Sequence, residues 1–269
     1  MRRLGAVLVL AVAIAGCGTG SGGSGEGRGK LAIYMSVPLS GERAAAGGAV
    51  SQGAKQALAD AGGEVAGREI ELVVLDDSGG GDRWSPVASA ANARRATEDA
   101  DTIAYIGELD SGATRTSLPI TNQAGIPQVS PSATALDLTH PASGFDGAPD
   151  IYRPSGKATF ARVVPANDVL AQRAMELKGR VGRAPVIAYD GDSRGAAVYV
   201  TPFAKPAGAY GAEAMGLILD ALKRAGDDAG DREKVIDRLL PSPRRSSPIG
   251  AYAISGAGDT TLTEVGVSP

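Results

Sequence analysis

The chain has 269 residues, of which 43% are hydrophobic and 21% charged, and its formal net charge is −3. That length suits one large domain or two smaller ones, and the weakly acidic balance gives no reason to expect a nucleic-acid partner. Aromatic residues make up only 4% of the chain, which argues against a sugar-binding groove lined by aromatic platforms. The single cysteine excludes an intrachain disulfide.

The first 16 residues have the features of a signal peptide. Arg2 and Arg3 precede the apolar run LGAVLVLAVAIA, which is too short for a membrane-spanning helix. The run ends in IAGC, and small residues before Cys17 resemble the lipobox of bacterial lipoproteins. That resemblance implies cleavage before Cys17 and lipid on its sulfur; the alternative is a buried free cysteine. Residues 17–29 are rich in Gly and Ser and predict a flexible tether.

Strand and helix patterns alternate from Lys30 onward. The segments KLAIYMSV, REIELVVLDD, TIAYIGEL and IPQVSPSAT predict four strands, with helical segments between them. The helix after the second strand begins with Ser85 as its expected N-cap and Pro86 in its first turn. Four βα units in a row predict an α/β fold with a doubly wound parallel sheet and helices on both faces.

The second half of the chain follows a crossing segment over residues 144–157, which is rich in Gly and Pro. Beyond it, TFARVV, APVIAY and AAVYVTPF predict strands, and ANDVLAQRAMELKGRVG, AYGAEAMGLILDALKRAG and DREKVIDRLL predict helices. PIGAYAIS and TTLTEVGV predict two closing strands with a Gly-rich turn between them.

In parallel sheets, a ligand binds outside the carboxyl ends of the strands. The segments expected at those ends are rich in Ser, Thr and Gly, and they are residues 36–48, 76–78, 109–114 and 130–134. They contain no histidine, no cysteine and no pair of glutamates. We therefore expect a site that hydrogen-bonds a small ligand rather than transforms it. Asp76 and Asp77 are expected to be solvated loop carboxylates.

One motif suggests an enzyme instead. GDSRG at residues 191–195 matches the G-x-S-x-G nucleophile elbow around Ser193. Such an elbow leads into a helix and is followed by a histidine, whereas AAVYVTPF predicts a strand and the only histidine, His140, precedes Ser193. A serine hydrolase using Ser193 is a remote alternative. One histidine and one lipid-bearing cysteine cannot form a transition-metal site, so no catalytic residue, metal or cofactor is predicted.

The ordered segments together resemble a known family. VPLSGERAAAGGAVSQGAKQALADAGGEVAGREIELVVLDD resembles the opening of type I periplasmic solute-binding proteins, above all the branched-chain amino-acid (Leu/Ile/Val) receptors of ABC importers. YIGELDSGATRTSLPITNQAGIPQVSPSAT carries the most specific similarity, and three later segments match the end of the family in order. The family fold is two α/β lobes that close on a ligand. The resemblance implies a lobe 1 of residues 30–143 plus about 208–240. Hinge crossings and a shortened lobe 2 then occupy residues 144–207 plus about 241–269.

The resemblance also implies which residues bind the ligand. Ser111 matches the serine that contacts the ligand's α-carboxylate, and with Gly112 it would lie at a helix N-terminus, which favours an anion. Ser132 matches a backbone contact, and Thr134 matches the threonine that holds the amino-acid head group. The structural alternatives are that Ser111 only caps the helix and that Thr134 only stabilises a turn.

Two departures from the family concern the same site. Ala46 stands where the branched-chain receptors tend to place an aromatic side chain. This departure affects which amino-acid side chains the ligand could carry. The second lobe is much shorter than in the family, and the tyrosine and the acidic residue that hold the ligand's ammonium have no clear counterparts. Asp190, at the end of a predicted strand, is the candidate for the acidic role.

The combined prediction is an extracytoplasmic substrate-binding protein, anchored to the bacterial membrane in the periplasm or at the cell surface by lipid on Cys17. It would bind a small amino acid of the branched-chain type as a monomer and deliver it to ABC permease subunits. The alternative is a sensory or degenerate solute-binding lipoprotein without transport-competent ligand binding.

Overall fold

The computed structural model describes residues 29–81, 83–181, 186–188 and 198–268. The strands are β1 (Leu31–Val37), β2 (Glu64–Val65), β3 (Arg68–Asp76), β4 (Thr102–Ile106), β5 (Gln128–Ser130), β6 (Phe160–Arg162), β7 (Val186–Ala188), β8 (Val198–Thr201), β9 (Ser242–Ser247), β10 (Gly250–Ile254) and β11 (Gly266–Ser268). The helices are α1 (Ala44–Asp60), α2 (Pro86–Glu98), α3 (Ser111–Gln123), α4 (Asn167–Val181), α5 (Ala207–Ala225) and α6 (Arg232–Leu239). Within the described ranges, none of these helices is both long and apolar enough to cross a bilayer.

The larger sheet has six strands in the order β2-β3-β1-β4-β5-β6. Only the β2–β3 pair is antiparallel, and the other four pairs are parallel. Every residue of β1 and β4 is buried, the pattern of parallel strands covered on both faces. The predicted α/β fold with a parallel sheet is confirmed.

Alternate residues of β1 face two different cores. Ile33 and Met35 belong to the main core, which they share with Val50 of α1. Tyr34 points to a smaller core on the other face of the sheet, together with Ala96 of α2. The alternation follows from the two-residue period of a strand, and it places α1 and α2 on opposite faces.

Helices α1 and α5 touch through their backbones at glycine residues. A Cβ built on Gly53 would lie 1.9 Å from the Gly208 carbonyl oxygen, and one built on Gly211 would lie 2.0 Å from the Val50 carbonyl oxygen. No side chain fits into either contact. These glycines therefore allow α5, which follows β7 and β8 in the chain, to pack against α1 in the main core of the larger sheet.

The second half of the chain forms a smaller sheet and a hairpin. Strand β8 pairs in parallel with β7 and antiparallel with β11, while β9 and β10 form an antiparallel hairpin. Strand β6 is assigned by sequence to the hinge-and-lobe-2 stretch over residues 144–207, but it pairs with β5 in the larger sheet. The lobe boundaries stay a prediction.

The end of the chain differs from the sequence prediction. Strand β9 was not predicted, because its polar sequence SPRRSS has no apolar alternation; its exposed residues identify it as one edge of a two-stranded ribbon, where proline is tolerated. The closing strand predicted over TTLTEVGV is limited to β11, and Thr260 makes only an isolated bridge with Ile254.

Candidate functional site

The carboxyl ends of β1, β3, β4 and β5 meet at one edge of the larger sheet, where the loops after these strands lie side by side. Of the sequence-predicted contacts, Ser111 and Gly112 begin α3, directly after the loop that follows β4. Ser132 and Thr134 lie in the loop after β5. The structure brings these two pairs together, because the backbone N–H of Thr134 donates to Ser111 Oγ at 3.1 Å. The larger sheet therefore presents one continuous candidate site at the start of α3.

Ser111 is the first residue of α3 and does not cap it. The N-cap position belongs to Asp110, whose side chain makes no capping hydrogen bond. The structural alternative that Ser111 is an N-cap is therefore wrong. Its hydroxyl oxygen accepts from the N–H groups of Thr134 and Ala135, each at 3.1 Å. A hydroxyl that accepts twice still has its own proton to donate, so Ser111 can serve a further acceptor.

The loop after β5 is held by its serines. Ser130 Oγ accepts from the N–H groups of Ser132 and Ala133 at 3.2 and 2.8 Å, and Ser132 Oγ donates to the Leu109 carbonyl at 2.5 Å. Thr134 is also buried, yet among the described residues its hydroxyl has no hydrogen-bond partner. Thr134 thus keeps a hydroxyl beside the start of α3 that is free to donate and to accept.

A buried arginine fixes the backbone on both sides of Thr134. Arg162 is completely buried, and its Nη1 donates to the carbonyls of Ala133 and Ala135 at 3.0 and 2.8 Å. Its Nε lies 3.1 Å from Asp259 Oδ1. Burial lowers the pKa of Arg162 to about 10, so it stays charged at neutral pH. Sequence reasoning missed this role, because a lone arginine in TFARVV does not indicate burial.

Asp110 and two arginines set the charge at the start of α3. The Asp110 carboxylate lies 3.6 Å from Arg43 Nη2 and 4.0 Å from Arg83 Nη2. The three residues come from loops after three different strands, so no local pattern in the sequence could have indicated the cluster. The arginines offset the negative charge that Asp110 places at a helix end that otherwise favours anions.

Two buried carboxyl groups lie at the same edge. Asp77 is 1% exposed and Glu108 fully buried, and the two carboxyl groups are near enough to each other for each to shift the pKa of the other. Burial raises the pKa of Asp77 to about 6 and, with the charge of Asp77, raises the pKa of Glu108 well above its usual range. Tyr105 Oη donates to Glu108 Oε1 at 2.7 Å.

The expectation that both strand-end aspartates are solvated is therefore wrong for Asp77, whereas Asp76 is partly exposed. Asp77 is buried in the carboxyl pair. Asp76 accepts from the Leu39 N–H at 2.9 Å and from Ser40 Oγ at 3.1 Å, so it ties the loop after β1 to the end of β3. Strand-end aspartates have such roles when neighbouring loops supply donors, and a single sequence does not show this.

The only tryptophan of the chain covers the first turn of α3. A Cβ built on Gly112 would lie 2.4 Å from Trp84 Cζ2, so the indole packs directly on the glycine backbone. Trp84 is only half-buried. Ala46 packs against the main core and adds no aromatic surface, and the aromatic side chain at this edge comes from the loop after β3 instead.

Three predicted residues lie outside the described residues: Cys17, Asp190 and Ser193. Lipid attachment at Cys17, the acidic role of Asp190 and the remote nucleophile role of Ser193 stay predictions. His140 lies in the described part, with its Nε2 2.6 Å from Asp259 Oδ2.

Comparisons with known proteins agree with this architecture. A leucine-binding protein from Thermotoga maritima is 17% identical, with a TM-score of 0.69, and the match covers 89% of this chain and 98% of that one. An ABC-transporter solute-binding protein from R. palustris in complex with benzoate is 15% identical, with a TM-score of 0.68 and coverages of 88% and 92%. A substrate-binding protein from Desulfitobacterium hafniense in complex with Leu is 14% identical, with a TM-score of 0.62 and coverages of 88% and 96%.

The structural similarity to these proteins establishes the fold, which is that of type I periplasmic binding proteins. No curated protein matches the chain in sequence. The family model described as periplasmic binding protein matches residues 31–196, which is more than half of the 269 residues. The chain belongs to the periplasmic binding protein family.

Proposed function

We propose that this protein is the extracytoplasmic substrate-binding lipoprotein of an ABC importer and that it binds a small amino acid of the branched-chain type. The observation that carries the proposal is the convergence of Ser111, Ser132 and Thr134 at the start of α3. The similar structures in complex with Leu and with benzoate support it, because both ligands carry a carboxylate.

The carboxylate of the ligand would lie at the N-terminus of α3. The N–H groups of Ser111, Gly112 and Ala113 have no acceptor within the helix, and the helix dipole favours an anion there. The hydroxyl of Thr134 is available beside them, and Ser111 still has a proton to donate. A buried carboxylate needs several donors at once, and this corner of the sheet offers them on rigid backbone.

The other parts of the proposal rest on sequence. Asp190 is the candidate acceptor for the ligand's ammonium, the lipobox-like end of the leader supports an anchor at Cys17, and the family resemblance supports ABC permease subunits as partners. As a substrate-binding protein of this kind, the chain would have no enzymatic activity, would need no cofactor and would function as a monomer.

Calorimetry on the purified mature protein tests the proposal. We expect at least one of leucine, isoleucine and valine to bind with a micromolar dissociation constant. Ser111→Ala should weaken that binding at least tenfold, about 1.4 kcal/mol. Ser246→Ala is the matched control, because Ser246 is exposed on β9, far along the chain from the site.

The outcomes separate the candidate functions. An unchanged affinity in Ser111→Ala removes Ser111 from the site. If none of the three amino acids binds, the transport proposal fails. The result would then favour the alternative function, a degenerate or sensory solute-binding lipoprotein.

A further inference from the structure

We propose that Trp84 is a specificity-determining wall of this site, and that the ligand it selects is a small carboxylate with an apolar substituent, aliphatic or aromatic. The inference rests on the proposed function, because it takes the N-terminus of α3 as the carboxylate subsite.

The position of the indole carries the inference. Cζ2, Cη2 and Cε2 of Trp84 lie 2.4, 3.1 and 3.2 Å from the place of a Cβ on Gly112. Gly112 is the second residue of α3 and follows Ser111. The six-membered ring therefore lies against the turn whose N–H groups would bind the carboxylate. Trp84 is half-buried, so part of its surface stays open.

The main chain is anchored at the residue that follows Trp84. On the other side, Nη2 of the Arg83 side chain lies 4.0 Å from the Asp110 carboxylate. Ser85, the next residue, donates its N–H to the Asp77 carbonyl at 2.7 Å and caps α2 by accepting from the Ala88 N–H at 3.3 Å. A side chain held in place before binding loses little conformational entropy when a ligand packs against it. Trp84 is thus preorganised as a wall.

The chemistry of that wall selects the ligand. A polar substituent placed against the indole carbons would lose its hydrogen bonds to water without replacement, whereas an apolar one gains from leaving water. The indole also keeps water from the first turn of α3, which strengthens hydrogen bonds from its N–H groups to a carboxylate.

The first experiment follows the fluorescence of Trp84, which is unambiguous because the chain has one tryptophan. On titration with leucine, phenylalanine or benzoate, we expect the emission to shift to shorter wavelength and acrylamide quenching to weaken. Gly112→Ala should change the emission without any ligand, because the added methyl displaces the ring.

The second experiment measures selectivity by calorimetry. In the wild type, leucine and phenylalanine should bind more tightly than alanine. Trp84→Ala should reduce that preference at least fivefold, Trp84→Phe should keep most of it, and circular dichroism melts verify that both variants fold. Val87→Ala is the control, because Val87 is 79% exposed on the neighbouring helix and should change nothing.

Failure of this inference can be told apart from failure of the proposed function. If the probes bind by calorimetry, but the emission and the Trp84→Ala selectivity stay unchanged, Trp84 is no wall and the proposed function stands. If no probe binds, the proposed function and the inference are both overturned.

Discussion

The hydroxyl groups of Thr134 and Ser132, two residues apart, differ in whether they have a hydrogen-bond partner in the protein. Thr134 has a hydroxyl without a partner among the described residues, whereas the Ser132 hydroxyl donates to a buried carbonyl. We expect Thr134→Val to weaken ligand binding about tenfold and to leave the free energy of unfolding nearly unchanged. Ser132→Ala should lower the free energy of unfolding by about 1 kcal/mol, since it leaves the Leu109 carbonyl unpaired.

Urea unfolding and calorimetry on the same two variants check this pair of predictions. Each variant is the control of the other, because both alter one hydroxyl in the same loop. A large loss of stability in Thr134→Val would contradict the assignment of its hydroxyl to the ligand.

The buried pair of Asp77 and Glu108 predicts an unusual dependence of stability on pH. Burial raises the pKa of Asp77 to about 6, above the value of about 3.9 for an unfolded aspartate. Between these pH values the folded state holds more protons than the unfolded state, so rising pH favours unfolding. The raised pKa of Glu108 extends the effect to higher pH.

Asp77→Asn tests this dependence, because it keeps the size of the side chain and removes one acid. From about pH 4 to 7, the wild type should lose on the order of 2 kcal/mol of stability relative to the variant. Urea unfolding at each pH measures the difference. Asp146→Asn is the control, since Asp146 is exposed, and it should follow the wild type. A constant difference between wild type and Asp77→Asn would show that Asp77 has an ordinary pKa.

At the scale of elements, the contact between α1 and α5 depends on missing side chains. A Cβ on Gly53 would overlap the Gly208 carbonyl, whereas a Cβ on Gly48 of the same helix meets nothing within 4 Å. We expect Gly53→Ala to destabilise the fold by roughly 2–3 kcal/mol through overpacking. Gly48→Ala should be neutral or stabilising by up to about 1 kcal/mol, because alanine favours helices.

Thermal and urea unfolding of the two variants measure these changes. Equal stabilities would mean that α5 is not packed on α1 at this distance. The comparison is stringent, since both substitutions add one methyl group to one helix and differ only in what lies opposite.

One residue of β6 contacts three separate parts of the chain. Arg162 holds the loop after β5 through two carbonyls, its N–H donates to the Gly258 carbonyl at 2.9 Å, and its guanidinium faces Asp259. The end of the larger sheet, the Thr134 loop and the C-terminal segment are thus joined by one buried charge. Removing one partner of a buried ion pair lowers the free energy of unfolding strongly. Arg162 is therefore a rigid support for the site.

At the scale of the whole molecule, the proposal requires the protein to lie at a membrane without crossing it. We expect the full-length chain, expressed in a bacterium, to partition into the detergent phase through lipid on Cys17. Cys17→Ser should move it to the aqueous phase. Ser21→Ala, a nearby change in the same tether, should leave the partition as it is. An unlipidated Cys17 by mass spectrometry would contradict the anchor.

Much of the fold and part of the site could be predicted from the sequence. The βα alternation is local, because a buried parallel strand and a helix each leave a periodic pattern over a few residues. The convergence of Ser111 with Thr134 followed from the resemblance, and the structure brings both to one edge. Strand β9 was missed, since its polar sequence pairs only because β10 lies beside it.

By itself, the sequence determined the parallel α/β class and the two chain segments that carry the predicted site. It also predicts a leader and a tether, nearly all of which lie outside the described residues. Only the tertiary structure decided what surrounds that site: Trp84 against Gly112, the arginines beside Asp110, the Asp77–Glu108 pair and Arg162 under the Thr134 loop. The physical reason is distance along the chain. Periodicity and capping act between near neighbours, whereas burial, pKa shifts and ion pairs depend on residues that meet only when the strands assemble into a sheet.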